Sequence, residues 1–522
     1  MILGTRLVTL ALLASLALPG LAHAAPKKGK KAPEVPVVVE PPPPPPDPEA
    51  WRATAPPAGP EGAWVPPAAK MFTLSNGVPV YLVEQPGLPL VSVNVLMKVG
   101  REAPVSPGGT VKGGLAALTA NLLDEGTTTR TGAQLAADAA MLGANLSVAQ
   151  GDEAGYVSLD ALTGAALAPS LDLLADVTLR PKFSGSEFAR VKSETLTAIQ
   201  SQRSEPRDVA RRVFSAQLFG AAHPYGLPTI GSEVSVGAIT AGDVKSFYKT
   251  WWHAKNAAIV VAGAVTQAEL QPLLEARFGT WKAGKSTRAS VSAPASLAKT
   301  RVVFVEQPGA VQAVVRLGTV GPSRTSPDFM AANAAGTLLA GMFSSRVNMN
   351  LREEKGWSYG AYGGFSEVRD FGTFTVGTSV QADKTAPAVA ELLKELGASQ
   401  AAPPTDAGLK SAKDYLVKSL AGNFETNSAT SSSFLAAPIL GLAPDFWTKY
   451  TAELGAVGPA ESGAMAKRYF DPGMQLVVVG PRTIEVPVEG GAPTTVNVAK
   501  ELEALGYEFV DLGTNAPVVA GR

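Results

Sequence analysis

Eight residues at 80–87, VYLVEQPG, return at 302–309 as VVFVEQPG, with Val83 and Val305 lying 222 positions apart. A second pair follows in the same order: AAIVVAGAV, with Gly263, is matched by MQLVVVGPR, with Gly480, 217 positions later. Two matches at nearly one offset indicate an internal duplication, so the chain must fold as two similar units. Within the first unit the residue pattern mixes strands and helices without regular βαβ alternation, which predicts an α+β fold rather than a doubly wound sheet.

The first unit reads clearly from Lys70 onward. Asn76-Gly77 between two apolar runs predicts a hairpin, and LVSVNVLMKVG continues as a third strand. GGLAALTANLLDEGTTTRTG, Gly113 to Gly132, reads as a short helix with a threonine-rich exit. A second helix follows in TGAQLAADAAMLGA, where Thr131 and Gln134 are spaced for a capping box. Two alternating strands, ANLSVAQ and GYVSLDALT, precede helices in APSLDLLADVTL and GSEFARVKSETLTAIQSQR; a helix–strand pair, TAGDVKSFYKTWW then NAAIVVAGAV, ends the unit. A Ser-, Ala- and Lys-rich stretch, Trp281 to Thr300, separates the halves. The expected organisation is a signal peptide at 1–24, a disordered Pro-rich linker at 25–66, repeats at 67–285 and 299–485 joined by a linker at 286–298, and a strand–helix extension at 486–522.

Arg6, the apolar run Leu7 to Leu18 and the small-x-small site Ala22-His23-Ala24 form a secretory signal pattern. The run is shorter than the roughly 20 residues of a spanning helix, and no later segment reads as transmembrane. The chain contains no cysteine, which rules out a bacterial lipid anchor after cleavage, and also disulfides and thiolate chemistry. A periplasmic or secreted protein is expected. Pro41 to Pro46 favours extended polyproline II, a spacer that cannot pack a core. Lysine plus arginine and aspartate plus glutamate balance at 45 each, so there is no basic field for nucleic acid or anionic membrane. Of three histidines, His23 lies in the leader, and His223 and His253 are thirty residues apart. Both read as structural: neither sits in a helical i, i+4 pair. Trp251 and Trp252 read as core and rim aromatics. No phosphate loop, nucleotide fingerprint or G-x-S-x-G elbow is present.

Four segments in order, FTLSNGVPVYLVEQ, GGLAALTANLLDEGTTTRTG, HPYGLPTIG and LREEKGWSYGAY, resemble the pitrilysin/insulinase-type peptidases, a family that includes the mitochondrial processing peptidases and the core proteins of cytochrome bc complexes. The resemblance runs from about Lys70 to Pro481 and implies two homologous α+β repeats closing as a clam-shell. In catalytic members the first helix carries H-x-x-E-H, two histidines holding zinc and a glutamate activating water. Carried onto this chain, those positions are Ala117, Ala120 and Asn121. The family's third ligand, a glutamate on a later helix, falls on Ala198, and a supporting acidic position falls on Val191. Asp124 and Glu125 lie nearby without imidazole partners and read as helix-end and turn residues. The resemblance therefore implies a non-catalytic member with no metal in this chain.

It also implies what remains. An arginine and a tyrosine that grip the substrate backbone fall on Arg352 and Tyr359. The strand that accepts a peptide as an added edge falls on Ala144 to Gln150, with Ser147 at its centre. The region GTLLAGMFSSRV is not glycine-rich, so the glycine-loop role of the processing-peptidase partner subunit does not carry over. The expectation is a substrate-binding subunit that pairs with a zinc-bearing sister chain and acts on peptides or unfolded polypeptides. The alternative is a structural or peptide-binding module without proteolysis.

Overall fold

The computed structural model describes residues 49–54, 56–57, 59, 64–220, 222–470 and 473–515; the signal segment and most of the Pro-rich segment lie outside them. Residues up to Ala63 form a separate unit, described only as a 3₁₀ turn at Ala50–Ala53. Everything from Trp64 onward is one compact unit.

The first repeat holds β1 (Lys70–Thr73), β2 (Pro79–Glu84), β3 (Leu90–Met97), β4 (Asn145–Gln150), β5 (Gly155–Leu162) and β6 (Ala257–Gly263). Its helices are α1 (Leu115–Ala120), α2 (Gly132–Met141), α3 (Leu167–Leu179), α4 (Gly185–Ser201), α5 (Pro206–Phe219), α6 (Glu233–Gly237), α7 (Ala241–Trp251) and α8 (Gln267–Phe278). The second repeat holds β7 (Arg301–Glu306), β8 (Gln312–Gly321), β9 (Ser358–Phe365), β10 (Gly372–Gln381) and β11 (Gln475–Gly480). Its helices are α9 (Phe329–Gly336), α10 (Arg346–Asn348), α11 (Thr385–Ala401), α12 (Asp406–Ser419), α13 (Asn427–Phe434), α14 (Ala436–Leu440), α15 (Phe446–Ala456) and α16 (Pro459–Phe470).

The duplication is visible in strand order. The first sheet runs β1-β2-β6-β3-β5-β4. The second runs β14-β7-β11-β8-β10-β9, where β14 (Glu508–Asp511) comes from the C-terminal extension. The echoed segments occupy equivalent places: β2 pairs parallel with β6, and β7 pairs parallel with β11. The C-terminal extension is therefore not an appendage. A ribbon of β12 (Thr483–Val486) and β13 (Thr494–Asn497) leads through α17 (Val498–Glu503) to β14, which lies parallel to β7 at the sheet edge. The second repeat has no strand before β7 to fill that place, so chain from the far end fills it.

Both sheets are buried on two faces, and the alternation of side chains along each strand assigns them. Val80 and Leu82 of β2 face a core built with the first repeat's own helices. Tyr81 and Val83 face the other way, onto Phe424, Phe434, Trp447 and Tyr450 of the second repeat. The exchange is mutual: Val303, Val305, Val477 and Val479 of the second sheet are covered by Val209, Val213, Phe214 and Leu218 of α5. The sequence reading overlooked α5. Its signal is present in Pro206 at the helix start, Asp208 in the first turn and the apolar spacing of Val209, Val213 and Leu218.

The segment between repeats is irregular in backbone yet fastened along its length. Arg288, whose side chain is 4% exposed, places Nε 2.7 Å from Glu102 and Nη2 2.8 Å from Glu153, both of the first repeat. Asp370 of the second repeat lies 3.6 Å from the same guanidinium and accepts the Val291 amide at 3.0 Å. Both histidines of the folded region touch this strap. His223 Nε2 meets the Ser292 carbonyl at 2.9 Å, and the His253 ring packs where a Cβ on Gly284 would sit. His253 is buried, and burial lowers its pKa. Trp251 and Trp252 are both buried, at 5% and 3% exposure, so neither is a rim residue.

Candidate functional site

Helix α1 begins at Gly114, whose φ of 87° and close approach to the Ile230 carbonyl and Val236 leave no room for a side chain. All six helical residues are buried, and α1 packs against α4, α7, β4 and β5. Alanine and leucine suit such a helix, because small side chains permit close packing and alanine carries the best helix propensity. The capping box expected between Thr131 and Gln134 is present at the start of α2.

The threonine-rich exit is explained by one carboxylate on α3. Asp176 has a fully buried side chain and accepts hydrogen bonds from Thr127 Oγ1 at 2.7 Å and Thr129 Oγ1 at 2.6 Å. It also pairs with Arg130 at 2.9 Å and Arg180 at 2.6 Å. Burial pushes this carboxyl upward, but the bonds from Thr129, Thr127, Arg180 and Arg130 outweigh it and hold the pKa at about 2. The loop after α1 was thus built around Asp176, and sequence reading missed it because its loop partners, Thr127, Thr129 and Arg130, lie 46 to 49 positions away.

At the positions that the resemblance assigns to a zinc site the donors are lacking. Ala117 and Ala120 are buried apolar groups, Asn121 is exposed, and Ala198 is exposed on α4. Val191 is buried in the first repeat's core rather than set beside a metal. Among the described residues no group of three or more His, Cys, Asp or Glu side chains could hold a metal ion. The family's zinc therefore does not fit this donor set, and no step through a metal follows from it. Glu125 pairs with Arg190 of α4, which also holds Glu187 and Glu194 at 2.8 and 2.9 Å. It is a tie between α1 and α4, not only a turn residue. Asp124 is half-buried, and burial raises its pKa.

The remaining candidates lie on two sheet edges. β4 pairs only with β5, and Ser147 sits opposite Ser158 with its side chain exposed on the outer strand. A cavity of about 550 Å³ opens at the start of β4, lined by Leu88, Leu90, Val91, Ala144, Asn145 and Asn427 among others. β9 is the corresponding edge of the second sheet. Tyr359, in its first turn of chain, is 90% exposed. Arg352 lies in the π-helical turn Met349–Glu354 that leads to β9. Its Nε is 3.1 Å from Glu353, and its guanidinium lies 4.8 Å over the Phe343 ring. The arginine is thus held by a neighbouring carboxylate and an aromatic face, while the tyrosine is free of the core.

Two six-stranded sheets of like strand order and a buried helix α1 without His, Cys, Asp or Glu frame the candidate site. Residues 109–232 match the family description "Insulinase (Peptidase family M16)", and residues 238–416 match "Peptidase M16 inactive domain". The chain belongs to this family. An uncharacterised zinc protease of Mycobacterium leprae is 29% identical over 309 residues, covering 58% of this chain and 67% of the relative. In structure, a peptidase M16 inactive domain from Pseudomonas fluorescens superposes with a TM-score of 0.73 at 23% identity, over 80% of this chain and 100% of the other. A protease from Helicobacter pylori gives 0.72 at 21% identity, with the same shares. These structural likenesses concern the fold.

Proposed function

We propose that this chain is exported and serves as the substrate-binding subunit of a two-chain metalloendopeptidase whose zinc is carried by a sister subunit of the same family. The observation that carries the reading is the contrast between the two halves. The first has alanine or asparagine at every position aligned with a metal ligand or base. The second keeps Arg352, in the turn that leads to β9, and a 90% exposed Tyr359 on β9, an edge strand of its sheet. A guanidinium and a phenol both donate hydrogen bonds and neither accepts a proton at neutral pH, so together they suit a peptide carbonyl and the oxyanion that forms from it. The open edge of β4 can take a peptide backbone as a further strand, with the adjoining 550 Å³ cavity receiving an apolar side chain.

The test is reconstitution with a zinc-bearing sister chain from the same cell envelope. Arg352→Ala is expected to lower kcat/KM of the mixed complex by about 10²–10³-fold, the loss seen when one oxyanion donor is removed, with assembly unchanged by native gel. An active complex indifferent to Arg352→Ala and Tyr359→Phe overturns the assigned grip. A stable assembly with no peptidase activity in any member favours the alternative, a structural or peptide-binding module.

A further inference from the structure

Between α5 and the outer face of β8 and β10 lies a cavity of about 200 Å³ lined by Arg101, Arg211, Arg212 and Arg316. The single acidic residue in its lining is Asp152, whose side chain is half exposed and already engaged by Arg101 and Thr229. Arg211 is paired with Asp208 at 2.6 Å, and Arg212, only 7% exposed, reaches Gln202 through Nη2 at 2.7 Å. The Nε atoms of Arg101, Arg212 and Arg316 are buried and lack a hydrogen-bond partner among the described residues. Aromatic faces support two of the guanidiniums, Phe214 under Arg316 at 5.2 Å and Tyr225 under Arg101 at 4.4 Å. Hydroxyls of Ser366, Thr373 and Thr375 complete the wall.

This arrangement is costly, because four guanidiniums share two carboxylate partners, Asp152 on Arg101 and Asp208 on Arg211. Burial pushes Arg101, Arg212 and Arg316 below the ordinary guanidinium range, and the charge of Arg211 opposes those of Arg212 and Arg316. Stranded donors on buried cations are among the least favourable features a fold can keep. One oxyanion would satisfy several at once, since guanidinium forks match oxyanion geometry. We propose that the cavity is a binding site for a small multiply charged oxyanion of the phosphate or polycarboxylate kind. Its walls come from both repeats, Arg101, Arg211 and Arg212 from the first and Arg316 from the second, so the bound ion ties the two together. The inference is independent of any proteolytic role.

The experiment uses the full mature chain and two probes, sodium phosphate and sodium citrate, with sodium chloride matched for ionic strength. A saturable rise in melting temperature with phosphate, with citrate or with both is expected, and none with chloride; which probe acts assigns tetrahedral or carboxylate preference. Arg316→Gln is expected to weaken that binding at least about tenfold. Thr375→Asp places a carboxylate inside the pocket; it is expected to raise the melting temperature without added anion and to abolish the response to both probes. No saturable response to either probe overturns the site, as does a Thr375→Asp chain that is destabilised and still responds like the unmodified protein.

Discussion

Arg288→Met is expected to destabilise the folded chain by about 4 kcal/mol, the size of effect seen when one partner of a buried ion pair is removed. The guanidinium is nearly inaccessible and lies between Glu102, Glu153 and Asp370. Methionine fills much of the volume, so the loss is mainly electrostatic. Burial already pushes the Glu102 carboxyl upward, and Arg288 is its largest opposing influence. Without the cation, the buried Glu102 carboxylate loses its principal counter-charge and Glu153 loses an ion-pair partner. Equilibrium urea unfolding at neutral pH measures the loss. Adding Glu102→Gln to Arg288→Met is expected to recover part of it, because one stranded charge is removed. An Arg288→Met chain as stable as the unmodified protein would show the strap to be a passive connector.

Asp176→Ala is expected to cost about 3 kcal/mol, at the lower end for a buried pair because Arg130 and Arg180 can turn to water. Thr127 cannot do so: it is 3% exposed and loses its short acceptor, keeping the Arg130 carbonyl at 3.5 Å. The effect carries a pH signature. The folded-state pKa of about 2 lies below the ordinary carboxylate value of 3.8. The stabilisation is therefore fully present above the unfolded value and is lost as pH falls toward the folded one. The difference between Asp176→Ala and the unmodified chain should be constant above about pH 5 and shrink between about pH 4 and 2. A difference that persists unchanged at pH 2 would mean that the carboxylate charge is not what the threonine loop was built to hold.

Local signals in the sequence carried the architecture far. The echoes around Val83 and Val305, and around Gly263 and Gly480, land on equivalent central strands. The hairpin at Asn76-Gly77 and the capping box at Thr131 form as their spacing requires. Each of these depends on neighbours within a few residues. What could not be read there depends on distant partners. The covering of one repeat's sheet by the other's helices puts Tyr81 in one core with Trp447, and Val213 in one core with Val303. Alternating apolar residues report that both strand faces are buried but not by what. The arginines of the strap and of the inter-repeat cavity form no local pattern in the sequence; the fold gathers them. At the positions the resemblance assigns to the metal, Ala117, Ala120 and Ala198 offer no donor atom and Asn121 a poor one, whatever the packing. The grip proposed for Arg352 and Tyr359 comes from the resemblance carried by LREEKGWSYGAY, and of the two only Tyr359 lies on β9.

The central claim is that this member of the insulinase family has no metal centre of its own. The most direct measurement is zinc content by elemental analysis of the purified chain, together with peptide hydrolysis before and after chelation. The account predicts zinc far below one equivalent per chain, no peptide cleavage by the chain alone, and a melting temperature unmoved by chelator. One tightly held zinc per chain, with cleavage that disappears on chelation and returns with added zinc, would contradict it.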